Sequence, residues 1–138
     1  LLKNDFVNTH LIDISPEAVK NIKERIPSFP ATQLFCDDFF NHQGTYNLIV
    51  EQTFFCALDP SFRKKYAKKM SELLTPGGKL IGVMFGVPKN TDCPPFGGSK
   101  DEYLEYFKPY FNVNVMEECY NSIKPRLGSE LFVILSKK

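Results

Sequence analysis

Three times in this chain a short apolar run gives way to a helix-start signal. His10–Ile14 is followed by Ser15-Pro16-Glu17, an N-cap serine with proline at the first helical position. Asn47–Glu51 is followed by Asp59-Pro60, an N-cap acid with the same proline. Lys79–Val87 is followed by Ser99 with Glu102 three residues on, the spacing of a capping box. Strands that alternate with capped helices predict a mostly parallel sheet, because parallel neighbours need a crossover between them. Gln33–Cys36 adds a short strand. Near the end, Asn112–Glu118 and Leu131–Ser136 come in succession, which predicts an antiparallel edge.

The helices are expected over Ser15–Ile26, Asp59–Leu74 and Ser99–Tyr110. Ala18, Val19, Ile22 and Ile26 supply the apolar face of the first, and Thr75-Pro76-Gly77-Gly78 stops the second. The nearly continuous run Asn47–Glu51 suits a strand buried on both faces. At 138 residues the chain has the length of one domain, taken here as 1–138, with no internal repeat or linker.

The bulk numbers exclude more than they assign. A net charge of +1 gives no electrostatic footprint for nucleic acid or an anionic membrane. No apolar run approaches the roughly 20 residues of a membrane helix. The N-terminus reads as no secretion signal and lacks an initiator Met. Cys36, Cys56, Cys93 and Cys119 are scattered without a CxxC pair, so no metal site is expected. Free thiols in a reducing cytoplasm are the expectation. No histidine is placed to activate a cysteine nucleophile, and no GxSxG, Walker or HExxH motif occurs.

Ligands of open α/β sheets bind at the carboxyl ends of the strands. The residues found there are Asp13 and Ile14, then Asp37-Asp38-Phe39, then Glu51-Gln52-Thr53-Phe54-Phe55-Cys56, and finally the Pro94–Gly98 loop. Asp13 is followed by a better cap, Ser15, which leaves its carboxylate for a ribose. Asp38 suits an adenine amino group, with Phe39 against the ring face. Glu51 ends an apolar strand, so it sits at the rim or faces a cation. Each also has a plainer reading: turn acids for the aspartates, core for the phenylalanines. Phe54 and Phe55 cannot easily face the same side of one turn. The loop between the fourth strand and the last helix is long for a tight α/β unit and has the composition of a lid.

Taken together, HLIDIS, DDFF, YNLIVEQTFFCALDPSFRKKYAKKMSELLTPGGKLIGVMFG, PPFGGSKDEYLEYF and the tail NSIKPRLGSELFVIL resemble the thiopurine S-methyltransferase-like group of S-adenosylmethionine-dependent methyltransferases. That group includes bacterial members and the plant halide and thiocyanate (thiol) methyltransferases. The resemblance implies a Rossmann-like class I methyltransferase sheet with helices on both faces. It implies S-adenosylmethionine as cofactor, held by Asp13, Ile14, Asp38, Phe39, Glu51, Gln52 and Thr53. Phe54, Phe55, Pro95 and Phe96 would line the site of a small acceptor: a thiol, thiopurine, thiocyanate or halide. No residue is singled out as catalytic, since an acceptor ionised near neutral pH needs alignment and desolvation rather than a strong base.

The chain departs from the group at its start. Its first nine residues contain no glycine, so the first family strand and the glycine-rich loop after it are not matched. The family sheet runs 3-2-1-4-5-7-6. Leaving out its first strand opens a gap between the His10–Ile14 and Leu48–Val50 strands, with edges through which copies could pair. An N-terminally incomplete chain is therefore expected. The competing expectation is an inactive remnant that keeps the fold as a binding or oligomerising domain.

Overall fold

In a computed structural model, which describes residues 4–138, the chain falls into two compact units, one ending at Gln43 and the other spanning Gly44–Lys138. In the first unit, strand β1 (Leu11–Asp13) pairs in parallel with β2 (Leu34–Cys36), joined by helix α1 (Pro16–Arg25). The cap reads as expected: the Ala18 N–H donates to Ser15 Oγ at 3.3 Å. Val19 is the buried anchor of that helix.

The second unit holds β3 (Tyr46–Gln52), α2 (Arg63–Leu73), β4 (Leu74–Phe85), α3 (Lys100–Phe107), β5 (Phe111–Glu118) and β6 (Glu130–Lys137). Its sheet order is β3-β4-β6-β5, with β3 parallel to β4 and the other pairs antiparallel. In the family's numbering these six strands give 2-3 and 4-5-7-6, the expected order without its first strand.

Two expectations need correction. Thr75–Gly78 does not separate helix from strand: β4 begins at Leu74 and carries these residues as an irregularity, opposite the register shift between Tyr46 and Leu48, with Gly77 at φ +73°. Nor is β3 buried on both faces. Leu48 and Val50 are 51% and 63% exposed, while Glu51 is 4%. The reason is position: β3 ends its sheet and has a strand on one side alone among the described residues.

Helices α2 and α3 pack together over the other face of this sheet, around an aromatic core. Phe55 meets Tyr66 and Tyr103 edge-on at 5.0 and 5.1 Å, and Phe107 continues the stack to Phe111 at 6.0 Å. Such pairs add about 0.5–1.5 kcal/mol each beyond the area they bury. Tyr103 also donates its hydroxyl to the Phe85 carbonyl at 2.6 Å in a buried bond. Replacing Tyr103 with phenylalanine should lower unfolding free energy by about 1–3 kcal/mol, because that carbonyl loses its buried donor. Urea unfolding would show a lower midpoint at unchanged slope; an unmoved midpoint would mean the carbonyl finds another donor.

Candidate functional site

In the first unit, the parallel pairing of β1 with β2 sets Asp13 opposite Cys36, and the Asp37 N–H donates to the Asp13 carbonyl at 3.2 Å. Asp13 and Asp38 thus emerge at the same strand ends. The Asp13 carboxylate is not wholly free, as the sequence had implied: its Oδ1 accepts from the Ser15 N–H at 2.8 Å. Asp38 does the same for the Phe40 N–H, also at 2.8 Å. Each closes a local turn with one oxygen and keeps a second. Ile14 is exposed, and Phe39 is buried with its ring against Phe40.

In the second unit, β3 delivers Glu51 to the end of the sheet. Its Oε1 accepts from the N–H groups of Phe54 and Phe55 at 2.8 and 3.0 Å, which folds the chain over at the strand end. Its Oε2 is buried and has no partner among the described residues. Burial pushes the carboxyl up from its ordinary value, partly offset by the two backbone donors. Beside it, β4 has glycine where any side chain would collide: a Cβ on Gly82 would lie 2.6 Å from the Glu51 carbonyl. Thr53 follows with φ +65°, a left-handed backbone that a β-branched residue adopts only when its surroundings force it. Gln52 and Thr53 are exposed.

The Pro94–Gly98 loop returns to this strand end, where the Phe96 N–H donates to the Cys56 carbonyl at 2.7 Å. Together they enclose an open cavity of about 270 Å³. Ala57, Phe85, Pro94 and Pro95 make its apolar walls, and Thr53, Cys56 and Arg126 bring polar atoms. The volume lies just under the range that holds drug-sized ligands, which suits a small molecule. Of the expected acceptor-lining residues, Pro95 is there. Phe54 is half-buried against Tyr66, and Phe55 faces inward instead, 1% exposed in the aromatic core. Phe96 is also turned in, at 7%. Burial and the Glu51 charge push the Cys56 thiol up, which lowers its thiolate fraction.

Sequence reasoning missed Arg63 and Arg126. Arg63 is 1% exposed and donates to Glu102 and to the Gly97 carbonyl, both at 2.8 Å, so it ties the loop to α2 and α3. RKKYAKK looks like a solvated basic face. Yet Arg63 shares the stripe of Tyr66, Ala67 and Met70 at helical spacing, which was the available signal. Glu102 was expected to complete a capping box; the Ser99 half is present, but its carboxylate turns to Arg63. Among the described residues no group of His, Cys, Asp and Glu could hold a metal, and no helix is long and apolar enough to cross a membrane.

These placements can be set beside known proteins. The family model for thiopurine S-methyltransferase matches residues 3–133. Over 125 residues the chain is 33% identical to the probable thiol methyltransferase 2 of Arabidopsis thaliana, covering 86% of this chain and 55% of that protein. The same figures hold for the thiocyanate methyltransferase 1 of Brassica oleracea. The thiopurine S-methyltransferase of Vibrio campbellii is 27% identical over 119 residues, or 79% of this chain and 55% of its own. The chain thus spans about half the length of the curated relatives it matches.

Among solved structures, an S-adenosylmethionine-dependent methyltransferase from Clostridium acetobutylicum superposes with a TM-score of 0.73 at 16% identity, covering 94% of this chain and 75% of that one. The N-methyltransferase NodS of Bradyrhizobium japonicum, in complex with S-adenosyl-L-homocysteine, gives 0.69 at 14% identity, covering 91% and 64%. The chain has the Rossmann-like fold of these methyltransferases.

Proposed function

The chain belongs to the thiopurine S-methyltransferase family, and from that premise we propose that it serves to move a methyl group from S-adenosylmethionine to a small soft nucleophile. Thiols, thiopurines, thiocyanate and halides are the acceptor class. The carrying observation is Glu51, whose buried Oε2 at the end of β3 lacks a partner among the described residues. A buried carboxylate oxygen of this kind fits a cationic ligand, and S-adenosylmethionine carries an ammonium and a sulfonium. Asp13 and Asp38, each with an oxygen to spare, suit the ribose and adenine, with Ile14 and Phe39 beside them; Gln52 and Thr53 suit the rim.

When bound, the cofactor supplies an activated methyl group that an electron pair on the acceptor can displace. This chain's residues do the rest by position. Thr53, Ala57, Phe85 and Pro95 line an open cavity of small-acceptor size, while Phe54 and Phe96 pack the strand end and the loop that bound it. No residue is required to take a proton from an acceptor that is already ionised. The four free cysteines support a reducing compartment such as the cytoplasm.

The open edge of β3 favours a second reading, a binding domain that pairs through its strand. Calorimetric titration of S-adenosylhomocysteine into the folded chain separates the two. Binding in the micromolar range, weakened about tenfold or more by Asp13→Ala through loss of a charge-assisted hydrogen bond, is the expected result. A folded chain that binds none would favour the second reading.

A further inference from the structure

The loop between β4 and α3 forms one wall of the cavity, and short backbone ties close it. The Gly98 N–H donates to the Val87 carbonyl at 3.2 Å, and the Phe96 N–H to the Cys56 carbonyl at 2.7 Å. Between them Gly97 has no room for a side chain: a Cβ there would collide with the Val87 carbonyl oxygen and the Lys89 nitrogen. The Gly97 carbonyl accepts from Arg63 Nη2 at 2.8 Å. That donor is itself immobilised. Nη1 donates to Glu102 Oε1 at 2.8 Å, and the Tyr106 hydroxyl donates to the same oxygen at 3.0 Å. The Phe55 and Tyr103 rings flank the guanidinium at 5.0 and 5.4 Å. Arg63 is 1% exposed and stands behind the cavity lining rather than in it. Burying a cation is costly, and an apolar side chain would fill the same space at less cost. What an apolar side chain cannot do is hold a carbonyl in place.

We propose that Arg63 is a positioning residue for the acceptor: through the Gly97 carbonyl it sets where the Pro94-Pro95 wall stands. The inference rests on the methyl-transfer reading above. Both prolines line the cavity. Gly97 is two residues from Pro95, and the rings fix φ at both prolines, so little slack separates the carbonyl from the wall. A wall held in place before the acceptor arrives spares the cost of ordering it at binding. An in-line transfer to an ionised acceptor depends on that alignment more than on a base. The loop with the composition of a lid is thus a fixed wall, pinned from behind by a residue the acceptor never meets.

Arg63→Lys tests this, because an ammonium keeps its charged partner Glu102 and releases the Gly97 carbonyl. In the ¹⁵N-labelled variant, hydrogen exchange at the Phe96 and Gly98 amides should quicken about tenfold or more relative to the amides between β4 and β6, the loss of one charge-assisted hydrogen bond. Thiocyanate, followed by amide shifts at Cys56, Ala57 and Phe85, should saturate the wild type and bind the variant about tenfold more weakly. S-adenosylhomocysteine should bind both alike. Met70→Ala empties a buried position about two turns along the same helix. It should quicken the loop no more than the sheet and leave thiocyanate affinity unchanged. Gly97→Ala displaces the same carbonyl from the other side, with the same losses expected, and serves if the lysine variant unfolds. Wild-type loop exchange or wild-type thiocyanate affinity in a folded variant overturns the inference, as do linear shifts without saturation in the wild type or an equal loss in Met70→Ala. Cofactor binding with an acceptor affinity that ignores Arg63 leaves methyl transfer standing and removes this inference. Thiocyanate affinity that follows Arg63 in a chain that binds no cofactor keeps the positioned wall and removes the transfer.

Discussion

Arg63→Ala is expected to lower the unfolding free energy by about 3–5 kcal/mol, the range for breaking a buried ion pair and for emptying a large core position. The guanidinium lies between two rings, 5.0 Å from the centroid of Phe55 and 5.4 Å from that of Tyr103. Alanine would leave that space void and take the donors from the Gly97 carbonyl and Glu102. The Glu102 side chain is a third exposed, so water recovers part of its loss and the lower end of the range is the better expectation. Arg63→Lys should recover only part, since an ammonium cannot donate to both partners in one plane while stacking on two rings. Lys64→Ala, one residue along and exposed, should stay within about 0.5 kcal/mol of wild type. Urea unfolding reads all three. A loss under about 1 kcal/mol for alanine would mean that the cost of burying the cation nearly cancels what it holds together.

The second large effect is a dependence on pH at Glu51. Burial raises its folded-state affinity for a proton above the ordinary glutamate value of 4.5. The folded chain therefore holds a proton that the unfolded chain has already released. Stability from this group is fully present below the ordinary value and falls as pH rises through the raised one, by about 1.4 kcal/mol for each tenfold difference in proton affinity. Glu51→Gln keeps an oxygen for the Phe54 and Phe55 N–H groups and carries no charge. It should be as stable as wild type near pH 4 and more stable at pH 7, with a flatter profile in between. A cationic ligand at Oε2 acts oppositely and drives the proton off. Binding of S-adenosylhomocysteine at a pH between the ordinary and the raised value should then release protons, seen as an enthalpy that changes with the buffer's own heat of ionisation. Equal slopes for wild type and Glu51→Gln would show that Oε2 is hydrated in solution.

Much of this was legible in the sequence because it is local. Ser15 and Ser99 fix their helix starts through hydrogen bonds spanning three residues, and Asp59 accepts from Ser61 within two. The strand order followed from the family resemblance, with the split at the unmatched strand. Side-chain direction was the harder part. DDFF and TFF give no register, so whether Phe54 or Phe55 faces the core depends on the turn that Glu51 closes. Arg126 and Glu130 sit in the tail that carried the resemblance, but their meeting over Phe85 depends on β6 pairing with β4. Long-range contacts of this kind leave only weak marks in composition.

The one-sided pairing of β3 has a kinetic consequence. In a parallel ladder successive residues direct their amides to alternate sides. Half of the β3 amides point at β4 and half point away, with no strand among the described residues to receive them. On transfer to heavy water, the inward half should hold its hydrogens as long as the sheet stays closed, and the outward half should lose them at the pace of an unstructured peptide. β3 would then show a two-speed signature along a single strand. Any chain or segment that later docks on that edge would merge the two speeds into one.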